Sequence, residues 1–312
     1  MSRKKILVVG SASMDLSMNM YKIPDRGETV TDDGGVAYTP GGKGANTAVA
    51  LTRLGADAVL CAKLGADLHG QKLHSFYKEI GIDTSYVKVD RDRPTGLAVV
   101  MKEGDGENRI VVYPGANSHI TEDAVIDAFD CNPDALYLGF EIPFQVALAA
   151  AKIASEKNIP IFIDAAPADK EHELESLPEI EVFSPNEQEI LEYTGIAPTT
   201  MESSLRAALA LYRRVKCKYI VIKLGSRGAF IYDGKRYSQA PAFRADKTVD
   251  TTAAGDAFGA ALVIEYLYNG GEIKGATKYA CAAGAIAVTR HGASSAMPTA
   301  DEVEDLISRS IV

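Results

Sequence analysis

Two carboxylates bracket a run of small residues in the stretch VDTTAAGDAF, positions 249–258. Asp250 and Asp256 flank Thr251, Thr252, Ala253, Ala254 and Gly255, just where a long apolar helix is expected to begin. Ala253, Ala254 and Gly255 carry almost no side chain, so the unpaired N–H groups of the first helical turn could approach a ligand closely, and a helix N-terminus favours negative charge. A carboxylate beside such an amide nest suits a general base. Asp256 could take a proton from a hydroxyl while the nest holds the phosphoryl group under attack. A simpler reading stays open at this point: Asp250 or a threonine caps the helix and Asp256 complements its dipole, each worth about 0.5 to 2 kcal/mol. Capping accounts for the acids but not for the consecutive small residues between them.

A second stretch, PGGKGAN at positions 40–46, sets Gly41, Gly42 and Gly44 around Lys43 and opens a helix. Glycines let backbone N–H groups come close to a ligand. The stretch is not a Walker A loop, because Ala37 and Gly44 stand where that motif needs Gly and Ser or Thr. Nor does GSASMD, at 10–15, satisfy the dinucleotide fingerprint. A tight turn would explain the glycines, leaving Lys43 and Asn46 without a purpose.

These residues need elements to position them. KKILVVG, ALYLGFE, IPIFIDA, VFSPNE and YIVIKLG are short β-rich runs. Helical stretches alternate with them: Gly44 to Leu54, Gly70 to Ile80, Pro143 to Lys157 and Ser203 to Val215. Three more helices follow, from about Ala254 to Tyr268, through Val288, and near Asp301 to Ser310. The pattern predicts a doubly wound α/β fold in three layers, a mostly parallel sheet with helices on both faces. Ligands of such sheets bind beyond the carboxyl ends of the strands, which makes Ser13, Asp15, Glu141, Asp164, Asn186, Glu189, Lys223, Ser226 and Arg227 candidates.

Two stretches break the rhythm and read as antiparallel β additions, the second a hairpin turning at Gly104 to Gly106. Together, residues 12–40 and 94–114 are expected to form a small discontinuous β-sheet lid over one edge of a single domain spanning 1–312. If the two segments pair across a two-fold axis, the protein is a homodimer.

At 312 residues, 46% apolar and 24% charged, the chain has ample material for one large core. A net charge of −9 with scattered acids argues against nucleic acid or anionic lipid as partner, and no apolar run reaches membrane-span length. Cys61, Cys131, Cys217 and Cys281 lie far apart with no C-x-x-C pair, which fits reduced, buried thiols in a cytoplasmic protein. His69 and His74, five apart, do not share a helical face, so a transition-metal site is not expected.

With GGKGAN, SPNEQE, KLGSRG, DTTAAGDAF and TRHGA in this order, the sequence resembles the ribokinase branch of the PfkB carbohydrate-kinase family over essentially its whole length. The resemblance implies transfer of the γ-phosphoryl group of ATP to the 5-hydroxyl of a pentose, on an α/β domain whose β lid is also the dimer interface. It implies that Asp256 is the base and that Ala253, Ala254 and Gly255 form the anion hole. Asp15, Gly41, Gly42, Lys43, Asn46 and Glu141 match sugar contacts. Ser13 departs from the asparagine of many relatives, which opens 2-deoxyribose or another small sugar as alternatives. A non-catalytic sugar or nucleotide sensor on the same fold is the rival of another class; an intact Asp256 speaks against it. Asn186, Lys223, Gly225, Ser226, Arg227 and Gly228 match the nucleotide site, with Gly255 and with Cys281 near the adenine. Glu189 would order Mg²⁺ through water. Asp250 and the carbonyls of Thr252, Ala287, Arg290, Gly292 and Ala296 match a K⁺ site. Asp164 and Ala165 stand where the enterobacterial type has Asn-Pro, which reads as a loop variant.

Overall fold

The computed structural model describes residues 2–103, 108–245 and 247–310, so the expected hairpin turn at Gly104 to Gly106 lies outside the described residues. The strands are β1 Lys5–Val9, β2 Ser13–Met20, β3 Val36–Gly41, β4 Asp57–Gly65, β5 Val87–Asp90, β6 Gly96–Glu103, β7 Asn108–Tyr113, β8 Ala135–Leu138, β9 Ile161–Asp164, β10 Ile180–Ser184, β11 Cys217–Lys223, β12 Ala229–Tyr232 and β13 Tyr237–Ala240. The helices are α1 Lys43–Arg53, α2 Leu68–Glu79, α3 Glu122–Ala128, α4 Phe144–Glu156, α5 Glu187–Thr194, α6 Met201–Tyr212, α7 Ala254–Tyr268, α8 Ile273–Ala287 and α9 Ala300–Arg309.

Strand β1 shows why the large sheet lies in the middle. Its Ile6 and Val8 enter one apolar core with Leu51, Leu60 and Leu262, while Leu7 and Val9 enter another with Leu138, Ile163 and Phe183. A strand apolar on both faces must be covered on both, giving three layers. Among the described residues the large sheet runs β13-β12-β11-β10-β9-β8-β1-β4-β5. All its pairings are parallel except β11–β12 and β12–β13, which are antiparallel. Because β1 has β4 on one side and β8 on the other, the winding reverses there and leaves a crevice at the carboxyl ends of β1 and β8.

The small sheet has the order β3-β2-β6-β7. Its outer pairs are antiparallel, but the central pair, β2 with β6, is parallel, unlike the antiparallel additions the sequence suggested. The physical reason is connectivity: β2 and β6 are joined through β3, α1, β4, α2 and β5, so no hairpin dictates their direction. Residues 10–12 carry the chain from the large sheet into the small one. Asn117 pins this link by accepting from Ala12 N (2.9 Å) and donating to Ala12 O (2.9 Å).

Helix α7 is apolar around nearly its whole circumference, with ten buried residues, because it lies between the sheet and its neighbours α1 and α8. It approaches the sheet so closely that a β-carbon on Gly259 would fall 2.1 Å from the hydroxyl of buried Tyr137. Gly259→Ala should therefore lower stability by about 1–3 kcal/mol in a thermal melt. Tyr137→Phe in the same chain should recover part of the loss.

Candidate active site

The chain enters α7 through an unusual residue. Ala253, the N-cap, adopts φ 61° and ψ 8°, in the left-handed region, and no side chain caps the helix. For a residue with a β-carbon this conformation costs about 1–2 kcal/mol. Uncapped, the helix keeps its amides free. Ala254 N makes only a long contact to Thr251 O (3.4 Å), and among the described residues no acceptor meets the N–H of Gly255 or Asp256. The capping alternative therefore does not describe this helix end: Asp250 accepts from Thr252 N (2.9 Å) instead.

Asp256 is 2% exposed. Its Oδ2 accepts from Asn46 Nδ2 (2.9 Å), and its Oδ1 has no hydrogen-bond donor, with Lys43 Nζ at 3.7 Å. Burial pushes the Asp256 carboxyl above the usual range, and the Lys43 charge pulls against that shift. Lys43 in turn is held above the ordinary lysine range, first by the charge of Asp256. Asn46 is fixed from its other end, where its Oδ1 accepts from Ser294 Oγ (2.9 Å). So Asn46, expected as a sugar contact, also aligns the acid through a bond at each end of its amide.

Glu141 and Asp15 are two further acids near Asp256, and Glu141 acts on the charge of both Asp15 and Lys43. Glu141, just past β8, accepts from Lys43 N (3.0 Å) and from the Ser11 hydroxyl, bridging the crevice between β1 and β8. Asp15 accepts from Ser13 Oγ (3.2 Å), and burial raises its carboxyl to about 6, with Glu141 and Asp256 adding to the effect. Gly41 faces Asp15 so tightly that a β-carbon there would lie 2.1 Å from a carboxylate oxygen. Gly42, at φ 88°, turns the chain from β3 into α1 against Ala12. Carboxylate acceptors gathered beside one lysine suit a polyhydroxylated molecule, which offers many O–H donors.

On the other side of the nest, β11 ends in a short turn carrying Gly225, Ser226, Arg227 and Gly228. Lys223 leaves β11 beside Asn186, and its Nζ sits 3.1 Å from both oxygens of Asp164 and 4.0 Å from Glu189 Oε2. Arg227 pairs with Glu187 and donates to Thr199 O (2.9 Å), so it ties loops together. Asn186 and Glu189 form a capping box at the start of α5, with Glu189 accepting from Asn186 N and Nδ2 (2.7 Å each). Burial raises the Glu189 carboxyl, a setting that a nearby cation would relieve. Cys281 lies buried on α8, its thiol pushed up to about 12 by desolvation. All four cysteines are free and buried.

Of the expected K⁺ ligands, Asp250 lies against Gly292, accepting from its N–H (3.4 Å). Among the described residues the carbonyls of Thr252, Arg290, Gly292 and Ala296 meet no donor, whereas that of Ala287 accepts from Arg290 N (3.2 Å). These open oxygens fit a monovalent cation. Sequence reasoning missed one neighbour: Lys102, from β6 of the small sheet, places its ammonium 3.1 Å from Asp250 Oδ2. It also missed Ser11, Asn117 and Ser294, single polar residues with no motif around them.

Residues 3–300 match the pfkB family carbohydrate kinase description, and the chain belongs to that family. It is 35% identical to the ribokinase of Bacillus subtilis over 310 residues, covering 98% of this chain and all of the relative. With the ribokinase of Haemophilus influenzae it shares 33% over 312 residues, 99% of this chain and all of the other. The Arabidopsis thaliana ribokinase solved with ribose and ATP superposes with a TM-score of 0.86 at 30% identity, over 98% of this chain and 99% of that one. The protein is an ATP-dependent sugar kinase.

The left-handed N-cap gives a direct test of the bare helix end. Ala253→Val should lower stability by at least about 1 kcal/mol, since a β-branched residue resists positive φ, while Ala253→Gly should lose none. Chemical denaturation of the two variants against the parent checks this.

Proposed function

We propose that the protein transfers the γ-phosphoryl group of ATP to the 5-hydroxyl of D-ribose, giving ribose 5-phosphate and ADP. One observation carries the reading: a sealed carboxylate with one oxygen bare, standing beside helix amides that have no acceptor. The sugar oxygen attacks the γ-phosphorus and its proton passes to Asp256. The bond to the β–γ bridging oxygen breaks with its electron pair leaving on ADP. The amides of Ala254 and Gly255, with the left-handed Ala253 turning the chain into them, meet the charge on the transferring group. Lys43, Glu141 and Asp15 hold the other hydroxyls and keep the attacked one in line, and the ribokinase names of the relatives agree with a pentose.

Nucleotide is proposed to bind along the β11–β12 turn, from Lys223 to Gly228, and toward α8. Mg²⁺ would sit between the ATP phosphates and Glu189, ordered through water, and would supply charge neutralisation. A K⁺ ion on Asp250 and the open carbonyls would order the loop that feeds α7. We also place the protein in the cytoplasm, where its four free thiols stay reduced.

A panel of pentoses assayed for ADP release tests the assignment, and no turnover of any pentose would end it. 2-Deoxyribose is the second reading, because the short Ser13 hydroxyl is already turned toward Asp15 and adds little grip. A kcat/KM that strongly favours ribose dismisses it. Asp256→Asn should lower kcat about 10²- to 10⁴-fold with much less change in sugar affinity. The base works ionised and its pKa is raised, so kcat/KM should fall as pH drops through that raised value, above the ordinary aspartate range. A flat acid limb in a pH–rate profile would count against Asp256 as base.

The small sheet is proposed as a lid and as the interface of a homodimer. Tyr38 and Val36 on β3 and Ile110, Val111 and Val112 on β7 are all exposed, and both faces of β7 therefore carry bare apolar side chains. Sedimentation should show a dimer at micromolar concentration; a monomer there would remove this part of the proposal.

A further inference from the structure

Asp164, one strand-end candidate of the sequence and, by the resemblance, a loop variant, is 4% exposed. It ends β9, next to Ser184 of β10, and accepts from Ala166 N (3.1 Å). Both its oxygens hold Lys223 Nζ at 3.1 Å. A buried ion pair of this kind adds little net stability over an apolar pair, so its place in the fold calls for another purpose. Its position supplies one. A β-carbon placed on Gly255 would lie 3.7 Å from Lys223 Nζ, which puts this ammonium at the mouth of the bare amides of α7.

We infer that Lys223 and Asp164 act as a unit on the transferring phosphoryl group: Lys223 presents its charge to the group held in the Ala253–Asp256 nest, and Asp164 is the positioning residue that keeps it there. The inference rests on the reading of that nest as the phosphoryl receiver. A phosphoryl group in flight spreads charge over three oxygens, and helix amides reach only some of them. Lys43 cannot serve the rest, because its ammonium lies beside Asp256 and the backbone N–H of the same residue is bound to Glu141. Lys223 comes instead from the end of β11, held on Asp164. On a flexible four-carbon stem its ammonium would swing toward Glu189, 4.0 Å away, were Asp164 not holding it by two contacts. Lys223 gives up no proton and forms no bond; its contribution is a fixed charge in a water-poor site.

Five chains decide the matter: the parent, Lys223→Met, Lys223→Arg, Asp164→Asn and the double variant Asp164→Asn/Lys223→Met. Their steady-state kinetics are measured with ATP, Mg²⁺ and ribose. Lys223→Met should lower kcat about 100-fold with sugar KM within about threefold, and Lys223→Arg should regain at least about tenfold. Asp164→Asn should lower kcat about tenfold, and the double variant should match Lys223→Met rather than the product of the two losses. Calorimetry adds a readout independent of turnover: the affinity lost on going from parent to Lys223→Met should be at least about tenfold greater for ADP with aluminium fluoride, a mimic of the group in flight, than for ADP alone. Losses that multiply in the double variant, or a Lys223→Met kcat within threefold of the parent, would overturn the inference. So would an Asp164→Asn defect that vanishes at high Mg²⁺, which would make Asp164 a metal ligand. If Asp164→Asn does not fold, the two Lys223 variants and the calorimetry still decide. An Asp256→Asn variant with parental kcat would bring down the nest reading itself, whereas an inactive Asp256→Asn beside an unaffected Lys223→Met would bring down only this inference.

Discussion

A carboxylate sealed from water with one oxygen undonated is an unfavourable thing to build, and the fold is arranged around that one group. Among the described residues Asp256 has a single hydrogen bond, from Asn46, and a single counter-charge, Lys43, at a distance too long for a tight pair. Its remaining oxygen stays bare because, among the described residues, none supplies a donor. Each adjoining feature keeps it so. Asn46 is held by Ser294, Lys43 is anchored by its backbone to Glu141, and the left-handed turn at Ala253 leaves the neighbouring amides unclaimed. A conventional side-chain cap would make a more stable helix end and a worse place for a phosphoryl group.

The two halves of this arrangement come from opposite ends of the chain. Lys43 and Asn46 begin α1, while Asp256 begins α7 more than two hundred residues later. They meet because α1 and α7 pack side by side on one face of the large sheet, both with their N-termini at its carboxyl edge. The reversal of winding at β1 opens the crevice beside them. Three acids then arrive from three elements: Asp15 from the small sheet, Glu141 from the end of β8, and Asp256 from α7.

Much of this was legible in the sequence, for identifiable reasons. Continuous apolar strands alternating with helices determine the three layers, and the order of five motifs marks the family. The small residues at 253–255 foretell a bare helix end, although nothing in their identity foretells that Ala253 would take positive φ. What stayed hidden depends on partners far apart in the chain. Asp164 and Lys223 read as separate strand-end candidates, and nothing local pairs them until the parallel sheet sets β9, β10 and β11 side by side. Asn-x-x-Glu reads as a ligand motif, and the structure adds a local purpose as the capping box of α5. The parallel pairing of β2 with β6 has no local signal, because it is decided by how two distant segments lie against the large sheet.

The contact between Lys102 and Asp250 joins two parts of the molecule that otherwise have separate jobs. One end stands on β6 of the small sheet, the other on the segment that delivers Ala253 to α7. Should the small sheet swing away, a partly buried acid is stripped of its cation and Thr252 N and Gly292 N are left to hold it alone. The small sheet and the segment that leads into α7 are thus fastened to each other by an ion pair.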